Sequence, residues 1–277
     1  MSVARRRTHI DSRTVGGVAV LGVLIVISVL VPLVSPYSYR TQRLDEMFGG
    51  VSGQHWLGTD HLGRDLLTRV AYGGGISFLV SGTAVLVQTV VGVAVGLIAG
   101  YFGGRTDAAL MRLTDVILAF PPLLLLLLVT GLLGPTLLNI VLALALSGWA
   151  SMARQIRAEA LTLRTRDFVA AARALGATDG VIVRRHLLAN IATIAMVRAS
   201  LDVGPVILSE STLSFLGIGI QPPTPSWGAM IAEGFSHLRT HPALTVIPSV
   251  ALSLAVLALT FVGDGLTEAL DPRQRRR

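Results

Sequence analysis

The chain contains no cysteine and no lysine, and each absence excludes a kind of site. Without cysteine it can form no disulfide bond, no thiolate metal centre and no cysteine nucleophile. Without lysine it lacks the side chain with which a P-loop reaches nucleotide phosphates, so it holds no nucleotide site of that kind. All 23 basic residues are therefore arginines.

Charge is also scarce in this sequence. Only 14% of the 277 residues are charged, whereas 52% are hydrophobic and the mean hydropathy is +0.68. Soluble globular domains carry about 25% charged residues, so most of these apolar side chains must face lipid. The net charge of +7 does not indicate nucleic acid binding, because the arginines lie at the ends of apolar runs and not along one amphipathic face.

Six apolar runs are candidate transmembrane helices, and they predict an all-α membrane protein. The first, residues 15–34, carries no charge, and at about 1.5 Å per residue it reaches across one hydrocarbon core. Arginines precede it as in a signal peptide, but the run is longer than a signal core and no small-residue cleavage site follows, which favours a retained anchor. The predicted spans are 15–34, 76–100, 108–133, 136–152, 191–217 and 243–266.

An even number of spans places both termini on one side of the membrane. With the N-terminus in the cytoplasm, eighteen arginines fall inside and five outside, in agreement with the positive-inside rule. The expected division is cytoplasmic tails at 1–14 and 267–277, external segments at 35–75 and 218–242, and a five-helix core over 76–266. One large cytoplasmic loop, residues 151–190, interrupts that core.

Two spans carry features of a packed bundle. Gly92, Gly96 and Gly100 recur every four residues and clear one helix face, which predicts a close approach of a neighbouring helix. In the third span, Pro121 and Pro122 remove backbone donors and disfavour helical geometry just before them, so a kink or break is expected there. The kink serves packing or gating, and the sequence leaves both interpretations open.

A polar face runs along the fifth span. Arg198, Asp202, Pro205 and Ser209 are spaced by four, three and four residues, which places them on one side of a helix that faces protein or water. Arg198 and Asp202 are one turn apart, so they form either a structural ion pair or a substrate contact. Glu210, near the outer end, is expected to line an external vestibule. The candidate pathway or intramembrane polar residues are Asp115, Arg198, Asp202, Ser209 and Glu210.

The cytoplasmic loop shows a helix, turn and helix pattern. Asp167 is a suitable N-cap for a short helix and Gly176 a suitable end. Phe168, Ala171, Ala172 and Leu175 lie between them at helical spacing and form a small apolar face among arginines. An exposed apolar face of this kind requires a partner.

This loop resembles the cytoplasmic "EAA" loop of bacterial ABC importer permeases. The similarity lies in residues 168–176, Phe-Val-Ala-Ala-Ala-Arg-Ala-Leu-Gly, followed after nine residues by His186 and Asn190 in His-Leu-Leu-Ala-Asn. Four other stretches are similar to the second permease subunit of dipeptide, oligopeptide and nickel importers: residues 56–65, 111–115, 120–122 and 213–228. The loop departs from the usual pattern in having Ala170 in place of a Glu and Ala189 in place of a Pro.

The resemblance implies a type I ABC importer permease (MetI-like) fold with six transmembrane helices. The chain would form half of a pathway for dipeptides or oligopeptides in the cytoplasmic membrane of a bacterium. Its expected partners are a second homologous permease, two ABC ATPase subunits, an external substrate-binding protein and membrane lipid. No cofactor is expected on this chain, since ATP and Mg would bind the ATPases. The ATPase-docking residues implied are Phe168, Val169, Ala170, Ala171, Ala172, Arg173, Ala174, Leu175 and Gly176.

Other functions are weaker alternatives. No catalytic constellation occurs at membrane depth, so the chain is not expected to be an enzyme. A nickel importer is one alternative, because four external histidines (His55, His61, His237 and His241) are available to a metal. An ion-coupled secondary transporter is another, since such carriers also place polar residues in broken helices. A secondary transporter, however, has no need of the cytoplasmic loop.

Overall fold

A computed structural model describes residues 11–270, which form mainly helices, with no strand among them. The predicted all-α architecture is therefore confirmed for the described part of the chain. The arginines and the histidine that the sequence places before residue 11 or after residue 270 lie outside the described residues. The helices are α1 Ser12–Val34, α2 Leu66–Phe102, α3 Gly104–Ala119, α4 Pro122–Leu133, α5 Leu137–Leu163, α6 Asp167–Ala174, α7 Asp179–Val181, α8 Leu188–Phe215, α9 Trp227–Phe235 and α10 Ala243–Leu270.

Five helical stretches are long and apolar enough to cross a membrane alone. The sixth predicted span consists of α3 and α4, which meet at a bend of 89°. The break lies where it was predicted. Phe120 has an extended backbone, and Pro122 is the first residue of α4, a position that proline favours. Neither half spans a bilayer by itself, since 16 and 12 residues reach only about 24 and 18 Å. Counted as one bent span, the pair brings the total to six.

Several helix ends differ from the predicted boundaries. The second helix begins ten residues early, at Leu66, because Asp65 caps it by accepting a hydrogen bond from the Thr68 N–H at 2.8 Å. The external segment 35–75 is thus shorter than predicted. Helix α5 continues to Leu163, so the first part of the predicted loop 151–190 is helical. The predicted external segment 218–242 contains α9, and α10 continues to Leu270.

The glycine face of α2 packs directly against α5, as the spacing predicted. A Cβ atom on Gly96 would lie 2.5 Å from the Ala153 carbonyl oxygen, and one on Gly100 would lie 2.6 Å from the Ala160 Cβ. Gly92 is equally close to Met152. Any side chain at these three positions would therefore separate the two helices.

The end of the bundle that the arginine distribution predicts to be cytoplasmic has its own apolar cluster, named here the cytoplasmic cluster. It joins the last turns of α2 to the small helix α6 and to the first part of the stretch that leads into α8. That stretch is continuous from Asp179 to Phe215 and contains a π-helical turn over Ile182–Leu187. Ile182 and Leu187 are fully buried in the cluster.

Candidate functional site

Helix α6, Asp167–Ala174, lies where the sequence predicted a short helix before Gly176. Its N-cap is Arg166, which makes no side-chain cap hydrogen bond, so the predicted capping by Asp167 is wrong. Asp167 is instead the first helical residue, where its negative charge interacts favourably with the helix dipole. The predicted end at Gly176 is confirmed by its φ of 84°. The N–H groups of Gly176 and Ala177 donate to the carbonyls of Arg173 and Ala172, both at 3.0 Å, which is the Schellman arrangement.

The two sides of α6 have different surroundings. Val169 and Ala172 are 0% and 9% exposed and pack into the cytoplasmic cluster of their own chain. The spacing predicted that Ala172 belongs to an exposed apolar face, and this prediction is wrong. Phe168, Ala171 and Leu175 form the outer face of α6; Phe168 is 39% exposed and Leu175 is 89% exposed. Ala170, Arg173, Ala174 and Gly176 are exposed beside that face.

In the middle of α8, Arg198 and Asp202 form an ion pair, which by itself does not decide between the structural and the substrate-binding interpretations. The distance from Arg198 Nη2 to Asp202 Oδ1 is 3.1 Å, and the side chains are 36% and 17% exposed. Both side chains are thus partly exposed on the surface of this single chain, although they lie at the centre of a membrane helix. Such an accessible charged pair faces a partner protein or water and not lipid.

Gln88 of α2 completes this polar cluster and was missed in the sequence. Its side chain is buried, and its Nε2 lies 3.5 Å from Asp202 Oδ2. Within the described chain, its Oε1 has no hydrogen-bond partner. Gly148 of α5 makes the space for it, because a Cβ there would lie 1.8 Å from Oε1. The sequence did contain a signal for Gln88, because it is an amide side chain in an otherwise apolar run. A polar side chain at membrane depth costs free energy, so its presence there indicates a role.

Glu210 does not line a vestibule, because its side chain is completely buried. Ser77 and Ser214 donate hydrogen bonds to its two carboxylate oxygens at 2.9 and 2.7 Å, and Ser211 adds a longer one at 3.4 Å. Ser214 in turn accepts a hydrogen bond from the Ile220 N–H. Glu210 therefore joins α2, α8 and the following external segment, since a buried carboxylate is stable only with such donors.

The remaining predicted pathway residues lie apart from this cluster. Asp115 is paired with Arg154 of α5, and both side chains are half exposed. Ser209 donates to the Pro205 carbonyl oxygen at 2.9 Å, within its own helix. The structure thus brings Arg198, Asp202 and the unpredicted Gln88 together, and it places Asp115 and Ser209 elsewhere.

On the predicted external side, two buried arginines hold α9 against the start of α2. Arg64 Nη2 and Arg69 Nη2 lie 2.9 and 2.8 Å from Glu233 Oε2. Asp60 Oδ2 lies 2.6 Å from Arg64 Nε and 3.3 Å from Arg69 Nη1. Burial raises the pKa of Glu233, and the positive charge of Arg64 acts in the opposite direction. Two of these four residues, Asp60 and Arg64, lie in the 56–65 motif.

The histidines that the sequence predicts to be external make contacts of their own. His55 Nδ1 lies 2.8 Å from Asp65 Oδ1, and its Nε2 lies 3.2 Å from Glu46 Oε2. Asp60, His61 and Glu233 are close enough together to hold a metal ion. Both carboxylates, however, already bind guanidinium groups, and a divalent cation there would be repelled by Arg64 and Arg69. The chemistry of this cluster is therefore that of a structural ion network.

Comparisons with known proteins point to one family. A family model described as "Binding-protein-dependent transport system inner membrane component" matches residues 92–276. The chain is 40% identical to the dipeptide transport system permease protein DppC of Bacillus subtilis, over 99% of this chain and 86% of that one. It is 35% identical to the oligopeptide transport system permease protein OppC of Haemophilus influenzae, over 98% and 88% of the two chains. It is 39% identical to the glutathione transport system permease protein GsiD of Pectobacterium atrosepticum, over 88% and 80%.

A solved structure shows the same fold. An inward-facing structure of the MetNI methionine ABC transporter matches with a TM-score of 0.58 at 19% identity, over 73% of this chain and 96% of that chain. At this identity the match concerns the fold alone. It confirms the predicted type I importer permease architecture.

Proposed function

Because this chain belongs to the family of binding-protein-dependent transport system inner membrane components, we propose that it forms half of a translocation pathway for dipeptides and oligopeptides. It is a membrane-spanning permease subunit of a bacterial ABC importer and not an enzyme. The observation that carries the peptide assignment is near-full-length similarity to permeases whose names refer to dipeptide, oligopeptide and glutathione transport.

The outer face of α6 is the proposed docking site for an ATPase subunit. Phe168, Ala171 and Leu175 are apolar and exposed on a helix whose other side is fixed in the fold. A residue as apolar and exposed as Leu175 is best explained by a covering partner. In the complete importer two ATPases, a second homologous permease and an external binding protein complete the assembly. ATP and Mg bind the ATPases, so this chain needs no cofactor.

The polar face of α8 is the proposed contribution to the pathway. Arg198 and Asp202 are partly exposed at the middle of a membrane helix, and this combination favours a water-filled passage or a protein interface. A peptide carries an amino and a carboxylate group, and the two side chains have complementary charges. The proposed orientation places both termini in the cytoplasm, in accordance with the arginine distribution.

The nickel alternative is less well supported by the contacts of the external histidines. His55 is already held between Asp65 and Glu46, and the carboxylates near His61 bind arginines. Peptide transport explains the relatives without requiring any of these groups to bind metal.

Reconstituted uptake tests the proposal. The permease pair, the ATPases and the binding protein would be placed in liposomes, and uptake of a labelled dipeptide, a labelled tetrapeptide, glutathione and nickel would be compared. We expect ATP-dependent uptake of at least one peptide and none of nickel. A matched control carries an ATPase with its P-loop lysine replaced, which should abolish uptake. Peptide uptake that persists in this control would indicate a secondary transporter, and nickel uptake alone would indicate a metal importer.

A further inference from the structure

Tyr101, in the last turn of α2, lies between two segments that follow α5. Its hydroxyl donates a hydrogen bond to Asp179 Oδ1 at 2.5 Å, at the start of α7. The same hydroxyl accepts a hydrogen bond from Arg173 Nη2 of α6 at 3.2 Å. One oxygen atom on α2 thus joins both ends of the turn that contains Gly176.

The body of Tyr101 belongs to the cytoplasmic cluster. The residue is 7% exposed and packs with Val169 and Ala172 on the inner side of α6. Ile182 and Leu187 of the π-helical turn are buried in the same cluster. A displacement of α6 therefore presses on the end of α2, because close-packed apolar groups transmit displacement.

A third contact fixes the same end of α2. Arg164, directly after α5, donates from Nη1 to the carbonyl oxygens of Gly100 and Tyr101 at 3.1 and 3.4 Å. These carbonyls lack partners within their own helix because they lie in its last turn. Residues 164, 173 and 179 thus all bind within two residues of the α2 terminus.

Helix α2 is well suited to carry this displacement across the membrane. It is continuous over 37 residues, about 55 Å, and contains no proline. Helices α8 and α10 each contain a proline, and a π-helical turn precedes α8. The other end of α2 carries Arg69, which is bound to Glu233 of the external helix α9.

We infer that Tyr101 is a positioning residue that couples α6 to α2, so that ATPase movement at α6 reaches the external end of the protein through α2. The inference rests on the proposed function, since it takes the outer face of α6 as the ATPase contact. The hydroxyl of Tyr101 sets the position of α6 relative to α2 and touches neither the substrate nor the ATPase.

The test uses the complete importer in liposomes with the variants Tyr101→Phe, Asp179→Ala and the double variant. Tyr101→Phe keeps the buried ring and removes only the hydroxyl. Tyr72→Phe is the matched control, because it removes the same atom from the external half of the same helix. Three quantities are measured: retention of ATPases on the tagged permease, ATP hydrolysis without substrate, and hydrolysis with peptide-loaded binding protein.

We expect Tyr101→Phe to retain its ATPases and its substrate-free hydrolysis, and to lose peptide stimulation roughly tenfold, within the usual range of coupling between sites. Asp179→Ala, which removes the acceptor, should show the same loss, and the double variant should lose no more than either single variant. Full stimulation in Tyr101→Phe overturns the inference, as does loss of ATPase retention, which would make the role structural. Additive losses in the double variant also overturn it. If the wild-type importer itself shows no peptide stimulation, the proposed function fails instead.

Discussion

Arg69 and Glu233 form an ion pair at 2.8 Å between residues that are 164 positions apart in the sequence. Arg69 is 1% exposed, although it lies in the first turn of a transmembrane helix. Helix α9 is thus attached to α2 by a buried charge, and Arg64 and Asp60 complete the network. A buried charge without its partner is far costlier than the intact pair is stabilising.

We therefore expect Glu233→Leu to detach α9 and destabilise the protein by about 2–3 kcal/mol, somewhat less than the ~3–5 kcal/mol typical of fully buried pairs. The reduction reflects the 24% exposure of the Glu233 side chain. Thermal unfolding in detergent and limited proteolysis of the external segment would measure the effect. Arg43→Gln is the control, because the Arg43–Glu46 pair is exposed and should contribute little. Equal proteolysis of the two variants would contradict this account.

The contact between α2 and α5 gives a second prediction. Gly96→Ala places a Cβ 2.5 Å from the Ala153 carbonyl oxygen and should destabilise the bundle by about 1–3 kcal/mol. Gly82→Ala, in the same helix, meets nothing within 4 Å and should be neutral or slightly stabilising. Thermal stability of the two purified variants separates them. A Gly96→Ala protein as stable as Gly82→Ala would show that the helices separate without cost.

How well the sequence predicts a feature of this structure depends on what determines that feature. Features that depend on the residue itself are predictable, whereas features that depend on residues far away along the chain are not. Gly176 and the glycine face of α2 were predicted correctly, because a left-handed turn and a close helix approach depend on the residue itself. The start of α2 at Leu66 was missed because Arg69 is charged, and Glu233, which binds it at 2.8 Å in the fold, lies far away in sequence.

The two faces of α6 show the same limit. Helical spacing placed Ala172 beside Ala171, but the side that is buried is decided by Tyr101 and the π-helical turn. Glu210 was expected near solvent for a similar reason. Its partner Ser214 lies one turn further along α8, but Ser77 comes from α2, and no local pattern brings that helix to Glu210.

Asp202→Leu tests the role of the polar face of α8. The substitution leaves Arg198 without its counter-charge in the membrane, so we expect reduced transport and a destabilisation of about 3 kcal/mol or less. Leu208→Val, on an exposed apolar position of the same helix, is the control. The double variant Arg198→Leu/Asp202→Leu separates the two interpretations. It should recover stability in either case, but it recovers peptide uptake only if the pair is purely structural.

The orientation of the chain is tested by chemical labelling. Tags at both termini should be cytoplasmic, and a cysteine at the exposed Ser236 should react with an impermeant external reagent. Ser226 is unsuitable for this purpose because it is completely buried as the N-cap of α9, so Ser226→Cys serves as the slowly reacting control. Labelling of the termini from opposite sides would rule out an even number of spans.

The final prediction concerns the outer face of α6. Ala171→Glu places a charge on this face and should weaken ATPase retention at least roughly thirtyfold, as expected when a charge enters an apolar interface. Ala172→Glu should instead destabilise the permease itself, because Ala172 is 9% exposed in the cytoplasmic cluster. Co-purification of the ATPases with the tagged permease, together with permease thermal stability, distinguishes the two effects.

Position 170 supplies the control for this experiment, since Ala170 stands where the EAA loop of the family usually has a Glu. Ala170→Glu adds the same charge one residue before Ala171, and we expect it to preserve both ATPase retention and transport. Gly176→Val is the complementary change, because a β-branched residue at a φ of 84° costs about 1–2 kcal/mol and alters the path of the chain after α6. It should reduce coupling while membrane insertion remains normal. If Ala171→Glu retained its ATPases as well as Ala170→Glu does, the outer face of α6 would not be the docking site, and the ATPase would have to bind elsewhere on the cytoplasmic surface.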